Sequence, residues 1–368
     1  MLKRIYFFYF AYMASMYFAQ TFIVFWLSQN GYSFSQLLIY FAVAYAVALA
    51  GIFFFPKVQM SAKRCILFGL LFSVLQVFVL IKFFSSYQLY LSALFSGLNI
   101  LFFWIPYNIM HFKFSQEDSR GLHSGMYFLI TPIIGITLQP FAGVVAERFG
   151  FETLFLIGIF AYIIPLILLK FLPSFNYEIN VRKYFLEHRF NWSTFFQGMT
   201  SRVNFSLIPI FTLFFIKTPR QFGNFFGYLA IMTAIASVIN GHISDKLRKR
   251  KIFFYFFSFL AVISFLPLAF VDNIYYWSIF AGIGSLCVSL ASPFWLTFNL
   301  DYYKNIGVEK TMVLREVFLN MGYIATLFIC LLVFYFTSSP KTSLIIVSAI
   351  CLLLPVASYF QGIYRDTI

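Results

Sequence analysis

The sequence predicts an all-α membrane protein with about twelve transmembrane helices, and three observations predict it. Of its 368 residues, 61% are hydrophobic and only 10% are charged. A soluble domain carries about a quarter charged residues, so these charges cannot cover a water-facing surface. The apolar residues come in runs of about 20, the length that crosses a bilayer. The basic residues gather in alternate gaps between those runs, as the loops of one membrane side do.

Taken in order, the expected spans of the first half are 5–27, 36–55, 65–84, 89–112, 121–146 and 154–172. The first follows Lys3 and Arg4 and is long enough to span by itself, so no cleaved signal peptide is expected. Spans 3 and 4 are separated only by Ser85–Gln88. The longest gap, 173–191, holds Glu178, Arg182, Lys183, Glu187 and Arg189. It divides the chain into a bundle over 1–172, a central loop and a bundle over 192–368. The second half repeats the count with spans 192–215, 225–244, 252–270, 275–298, 311–336 and 344–360.

With the N-terminus placed in the cytoplasm, twenty basic residues fall in inner segments. Five fall in outer loops: Lys82, Arg148, Lys217, Arg220 and Lys341. Arg202 lies inside span 7. The asymmetry predicts cytoplasmic N- and C-termini in a cell membrane. It also accounts for the net charge of +14 without a nucleic-acid partner, because no soluble basic domain exists. Cys65, Cys287, Cys330 and Cys351 fall in or beside apolar runs, without metal or redox spacing, and read as small buried hydrophobes.

Two inner span ends resemble each other. Span 4 ends in Trp104-x-x-x-Asn108 and reaches Lys113; span 10 ends in Trp295-x-x-x-Asn299 and reaches Lys304. Lys63-Arg64 after span 2 matches Lys249-Arg250 after span 8 at a similar offset. A repeat of six spans predicts two pseudo-symmetric bundles with a solute site between them near the midplane.

The most specific motif is Gly241-His-Ile-Ser-Asp245-Lys246-Leu-Arg248-Lys249-Arg250. It resembles the G-x-x-x-D-[R/K]-x-G-[R/K]-[R/K] loop of the major facilitator superfamily. Gly241, Asp245, Lys246, Lys249 and Arg250 match, and Arg248 replaces the second Gly. The first-half loop keeps Lys63-Arg64 but has Phe55 and Gln59 where the motif has Gly and Asp. Span 5, with Gly135, Pro140 and Gly143, is similar to the Gly- and Pro-rich fifth span of that superfamily, reduced by Gln139 and Val144. The resemblance implies that Asp245 lies against span 11 and, with its basic neighbours, forms a conformational gate. It also implies that spans 1, 2, 4, 5, 7, 8, 10 and 11 line the cavity. The residues alone also allow a generic basic loop and ordinary small-residue packing.

Charges at membrane depth default to functional candidates. Arg202 lies about ten residues into span 7, about 15 Å deep at helical rise. Glu316 lies in span 11 beside Arg315. The two pair with each other, or Arg202 holds an anionic substrate group, or both are structural. Gln20, Trp104, Asn108, Trp295, Asn299 and Asn320 complete the candidate substrate-binding set. Thr21, Asn99, Gln139, Gln197 and Asn204 are comparable polar groups, each open to a purely helix-packing role. Residues 1–116 hold no Asp or Glu, which leaves Glu316 as the acid within a span for proton coupling. A permanently paired Glu316 would instead fit a facilitator.

The chain therefore reads as a secondary transporter of a small organic solute, working as a monomer in the lipid bilayer. A polytopic receptor or scaffold is the alternative, and a membrane-embedded transferase a weaker one. The sequence has no His-x-x-x-His, paired-carboxylate or Gly-rich phosphate loop, so no catalytic residue, metal or cofactor is expected.

Overall fold

Lipid offers the backbone no hydrogen-bond partners, so an apolar chain crosses it as helix. The computed structural model describes residues 2–54, 58–82, 87–114, 120–187, 190–246, 250–302 and 306–361. They form α1 (Leu2–Gln29), α2 (Phe34–Phe54), α3 (Ala62–Lys82), α4 (Gln88–Lys113), α5 (Arg120–Ala161) and α6 (Ile163–Leu168). After α7 (Val181–Glu187) come α8 (192–212), α9 (Pro219–Lys246), α10 (Arg250–Ile263) and α11 (Ile274–Tyr302). The chain closes with α12 (Val308–Thr337), α13 (Pro340–Cys351) and α14 (Leu353–Phe360).

Among the described residues, ten helices are long and apolar enough to cross a membrane. Two features separate that count from twelve. The segment Phe128–Phe171 runs 44 residues, about twice the length one crossing needs. Gly150 breaks it with φ 83° and ψ 165°, a conformation that a side chain would strain. The second feature is α8, which is continuous but carries Thr194, Gln197, Thr200, Arg202 and Asn204 among its apolar residues. The outward faces are apolar: Phe141, Phe160, Ile235, Phe256 and Phe328 are exposed. Such a belt is stable against lipid and not against water.

Helix direction alternates, so the helices share two ends. Leu2, Lys113, residues 172–187 and Val308 lie at the terminal face; Gly31, Gly150, residues 213–218 and Ser338 lie at the opposite face. Within the first half α1 packs on α5, and α4 on α2 and α3; within the second α8 packs on α12, and α11 on α9 and α10. The halves meet most extensively along two helix pairs, α5 with α9 and α2 with α12, and α4 adds a smaller contact with α12.

At the α5–α9 pair, glycines bring the backbones together. A Cβ on Gly143 would lie 2.7 Å from the Pro219 carbonyl oxygen, and one on Gly223 would lie 2.4 Å from that of Gln139. Pro140 fits against Gly227, and Gly135 against Ala230. The Gly- and Pro-rich pattern of the fifth span is thus a packing ridge between the halves.

The terminal face carries a feature that the sequence did not signal. Val58–Ser61 (β1), in the loop after α2, pairs antiparallel with Asn176–Ile179 (β2) of the central loop. Lys63 Nζ adds a hydrogen bond to the Lys170 carbonyl oxygen at 2.9 Å. Burial pushes the Tyr177 hydroxyl well above its ordinary pKa, so it stays neutral inside the ribbon. From the ribbon α7 reaches the second half, where Tyr184 packs with Leu314 and Phe318 of α12.

Candidate functional site

Two prolines shape the helices that carry the polar groups. Pro106 and Pro209 each lack the N–H that a regular turn needs, and each follows a π-helical stretch, Ile100–Trp104 in α4 and Val203–Leu207 in α8. Trp104 closes the first stretch, and Arg202 directly precedes the second. The irregular turns therefore set the aim of both side chains.

The polar groups line one stripe of α12: Glu309, Glu316, Asn320 and Tyr323, three to seven residues apart and on one face. From Glu309 to Tyr323 the stripe runs about 21 Å at helical rise. Glu309 pairs with Lys113 of α4 at 2.7 Å. Glu316 Oε1 accepts from Asn108 Nδ2 of α4 at 3.5 Å and pairs with Arg315 Nη1 at 2.9 Å. Asn320 donates to the Glu316 carbonyl oxygen, while its own Oδ1 is buried without a protein partner. Tyr323 meets Tyr45 of α2, with ring centroids 4.9 Å apart.

Arg202 enters this layer from α8. Its Nη1 donates to the Tyr45 hydroxyl, and its guanidinium carbon lies 3.9 Å from the Tyr323 ring centroid, 4.9 Å from Tyr45 and 5.6 Å from Phe205. Nε is buried without a partner. Among the described residues no carboxylate oxygen lies within 4 Å of Arg202. A cation over an aromatic face gains about 0.5–2 kcal/mol. Desolvating an ion costs roughly several kcal/mol, so the rings offset only part of the burial, and among the described residues no carboxylate contacts the guanidinium to offset the rest.

The seam is closed on both sides of Arg202. Toward the terminal face, Lys113–Glu309 and Asn108–Glu316 join α4 to α12, and Met312, Val313 and Val317 pack into the first-half cluster around Tyr107 and Met110. Toward the opposite face, Phe22 and Phe25 pack on Phe222, and Phe34 on Phe211 and Phe334. The Glu147 carboxylate there accepts the Arg220 backbone N–H at 3.1 Å.

No family model and no curated protein matches the sequence. Solved structures match its fold. A POT family transporter in complex with 5-aminolevulinic acid aligns over 100% of this chain and 96% of its own, at 12% identity and a TM-score of 0.68. A POT family transporter in complex with a thioalcohol-conjugated peptide aligns over the same shares at 12% identity and a TM-score of 0.69. The E. coli fucose:proton symporter FucP, in a single-site variant, aligns over 98% of both chains at 14% identity and a TM-score of 0.63. The chain has the major facilitator fold.

Within the major facilitator fold the sequence candidates separate. Arg202, Glu316, Asn108 and Asn320 lie along the seam. Trp104 is partly buried on α4 and meets Tyr9 and Tyr12 of α1 edge-on. Gln20, at a 3₁₀ turn in α1, donates to the Tyr162 hydroxyl at 3.0 Å within the first half. Trp295 is fully buried and donates to Ser258 of α10 at 2.7 Å. Asn299 bonds Gln197 and Thr194 of α8 inside the second half. The two Trp–Asn motifs are used differently because their registers differ. Trp104 lies 16 residues into α4 and Trp295 lies 21 into α11, whereas Pro106 and Pro293 lie 18 and 19 residues in.

Of the gate motif, Gly241, Asp245 and Lys246 end α9 and Arg250 begins α10. Their side chains, and Lys249 altogether, lie outside the described residues. Tyr45 and Tyr323 were missed: a lone Tyr in an apolar run carries no signal until the opposite helix is known. Arg202 and Glu316 were visible because charge is rare in lipid.

Proposed function

We propose that this chain is a secondary transporter of a small organic solute, working by alternating access between bundles 1–172 and 192–368. The observation that carries the reading is Arg202 and Glu316 together on the seam between the halves, with contacts closing that seam toward both faces. A carrier needs a polar site that faces one side at a time, and these contacts are ones that can break on either side in turn. The reading takes Gly150 as the turn between spans 5 and 6 and α8 as span 7, for twelve spans with cytoplasmic termini in the cell membrane. The protein acts as a monomer. Asp245, with Gly241, Lys246, Lys249 and Arg250, is assigned to gating at the terminal face. The neighbours of this fold include a fucose:proton symporter, which supports coupling to protons, with Glu316 as the group that carries them.

The test is counterflow in proteoliposomes. Vesicles are loaded in turn with amino acids, sugars, organic acids and short peptides, and exchange of labelled for unlabelled solute is followed. A carrier exchanges at least one class in a saturable manner. Correctly inserted protein that exchanges none of them refutes the reading.

A further inference from the structure

Among the described residues Arg202 has no ion-pair partner of its own and feels only the more distant charge of Glu316, and the chemistry of the surrounding groups says what would compensate it. Among the described residues the charged groups of the seam are Arg202, Arg315, Glu316 and the Lys113–Glu309 pair, and Glu316 is already paired with Arg315 at 2.9 Å. One positive charge remains. A single negative charge neutralises it, whereas a dianion such as a phosphate monoester leaves an excess negative charge in a low-dielectric layer. The guanidinium spends Nη1 on the Tyr45 hydroxyl and keeps Nε without a protein acceptor. A planar fork of this kind matches a carboxylate. Tyr45, Tyr323 and Phe205 flank it with aromatic surface, which suits an organic body better than a hydrated inorganic ion.

We propose that Arg202 is the receptor for the carboxylate of an organic monoanion whose apolar or ring-bearing body lies against Tyr45, Tyr323 and Phe205. The assignment deepens the carrier reading by naming the class of solute, and rests on it for the idea that the ligand is transported. Binding at Arg202 is a separate fact. Arg202 is a binding residue here, and the hydroxyl of Tyr45 positions it.

The experiment uses the full chain in detergent micelles. Cys65, Cys287, Cys330 and Cys351 are all buried, so a thiol-reactive dye reports unfolding without added labels. Monocarboxylates from acetate to 3-phenylpropionate are compared with 3-phenylpropionamide, phenyl phosphate and sodium nitrate. A ligand of the native state raises the unfolding temperature in a concentration-dependent way.

The expected result is protection by at least one monocarboxylate, larger for ring-bearing ones, and none by the amide or nitrate. Arg202→Gln weakens that protection roughly 10- to 100-fold, in line with loss of a charge-assisted bond. Arg202→Lys, which keeps the charge and loses the fork, lies between them. The exposed Lys217→Gln variant behaves as wild type. Equal protection by the amide, protection by nitrate or phenyl phosphate alone, unchanged protection in Arg202→Gln, or no protection by any monocarboxylate overturns the proposal. Should Arg202→Gln fail to fold, the carboxylate–amide comparison on the wild type and the Arg202→Lys variant decide it. Arg202-dependent binding without counterflow would sink the carrier reading and leave the anion site. Counterflow of neutral solutes indifferent to Arg202 would do the reverse.

Discussion

At the scale of single residues, the seam joins two kinds of charge with different tasks. Arg202 is held by neutral rings and a hydroxyl, whereas Glu316 is held by Arg315 and Asn108. A guanidinium keeps its proton at any pH the protein meets, so of the ionic groups in this layer Glu316 is the one that can exchange a proton. Glu316→Gln keeps an acceptor for Asn108 and loses the ion pair, at a cost of about 1–3 kcal/mol. The variant is expected to retain counterflow within about a factor of three, while accumulation driven by a pH gradient disappears. Gradient-driven accumulation at the wild-type level would reduce Glu316 to a structural partner of Arg315.

At the scale of elements, two contacts hold the seam, one toward each face. Toward the opposite face, α5 and α9 approach so closely at Gly143 and Gly223 that side chains have no room. Gly223→Leu must push the helices apart, at about 1–3 kcal/mol for overpacking. A cysteine replacing Phe22 should then react with an aqueous thiol reagent from the opposite face several-fold faster (about fivefold is enough to read). An unchanged rate would show that this pair does not close that face. At the terminal face the β1–β2 ribbon ties the central loop to the first half, and α7 reaches across to α12. Met60→Pro removes a ladder donor in the middle of β1. If the ribbon holds this face closed, a cysteine replacing the buried Met110 becomes more reactive from the terminal side in that variant. Equal reactivity would make the ribbon a passive linker.

At the scale of the molecule, the two ends of the seam cannot both stay shut if the protein carries a solute. Lys113 with Glu309 and Glu147 with Arg220 mark those ends. The first is an exposed ion pair, worth about 0–1 kcal/mol, and the second an exposed hydrogen bond to the Arg220 backbone N–H, so both can open and re-form during each cycle. Two double-cysteine variants test this, Lys113→Cys with Glu309→Cys and Glu147→Cys with Arg220→Cys, each bridged by a reducible bis-methanethiosulfonate spacer that replaces the length of the lost side chains. Each bridge is expected to stop counterflow, and reduction to restore it. Full exchange by completely bridged protein would mean that the halves do not separate along these lines.

Composition and spacing were enough for the solvent and the helical class, because lipid imposes one rule on every residue that crosses it. They also exposed Arg202 and Glu316, whose charge stands out against an apolar run. Gly135, Pro140 and Gly143 were visible as a pattern, but their partner was not, since small residues mark a close approach without saying to what. The matched Trp104–Asn108 and Trp295–Asn299 motifs point to different neighbours, because a shift of a few residues turns a helix face by more than a right angle. The contact of Tyr45 with Arg202, the pairing of Arg315 with Glu316, and the strand made of Val58–Ser61 came from the packing of segments more than a hundred residues apart or from a choice of rotamer. Local sequence sets which face of a helix is polar; what that face meets depends on how the helices are arranged, and here that arrangement holds one guanidinium between aromatic rings with no carboxylate in contact among the described residues.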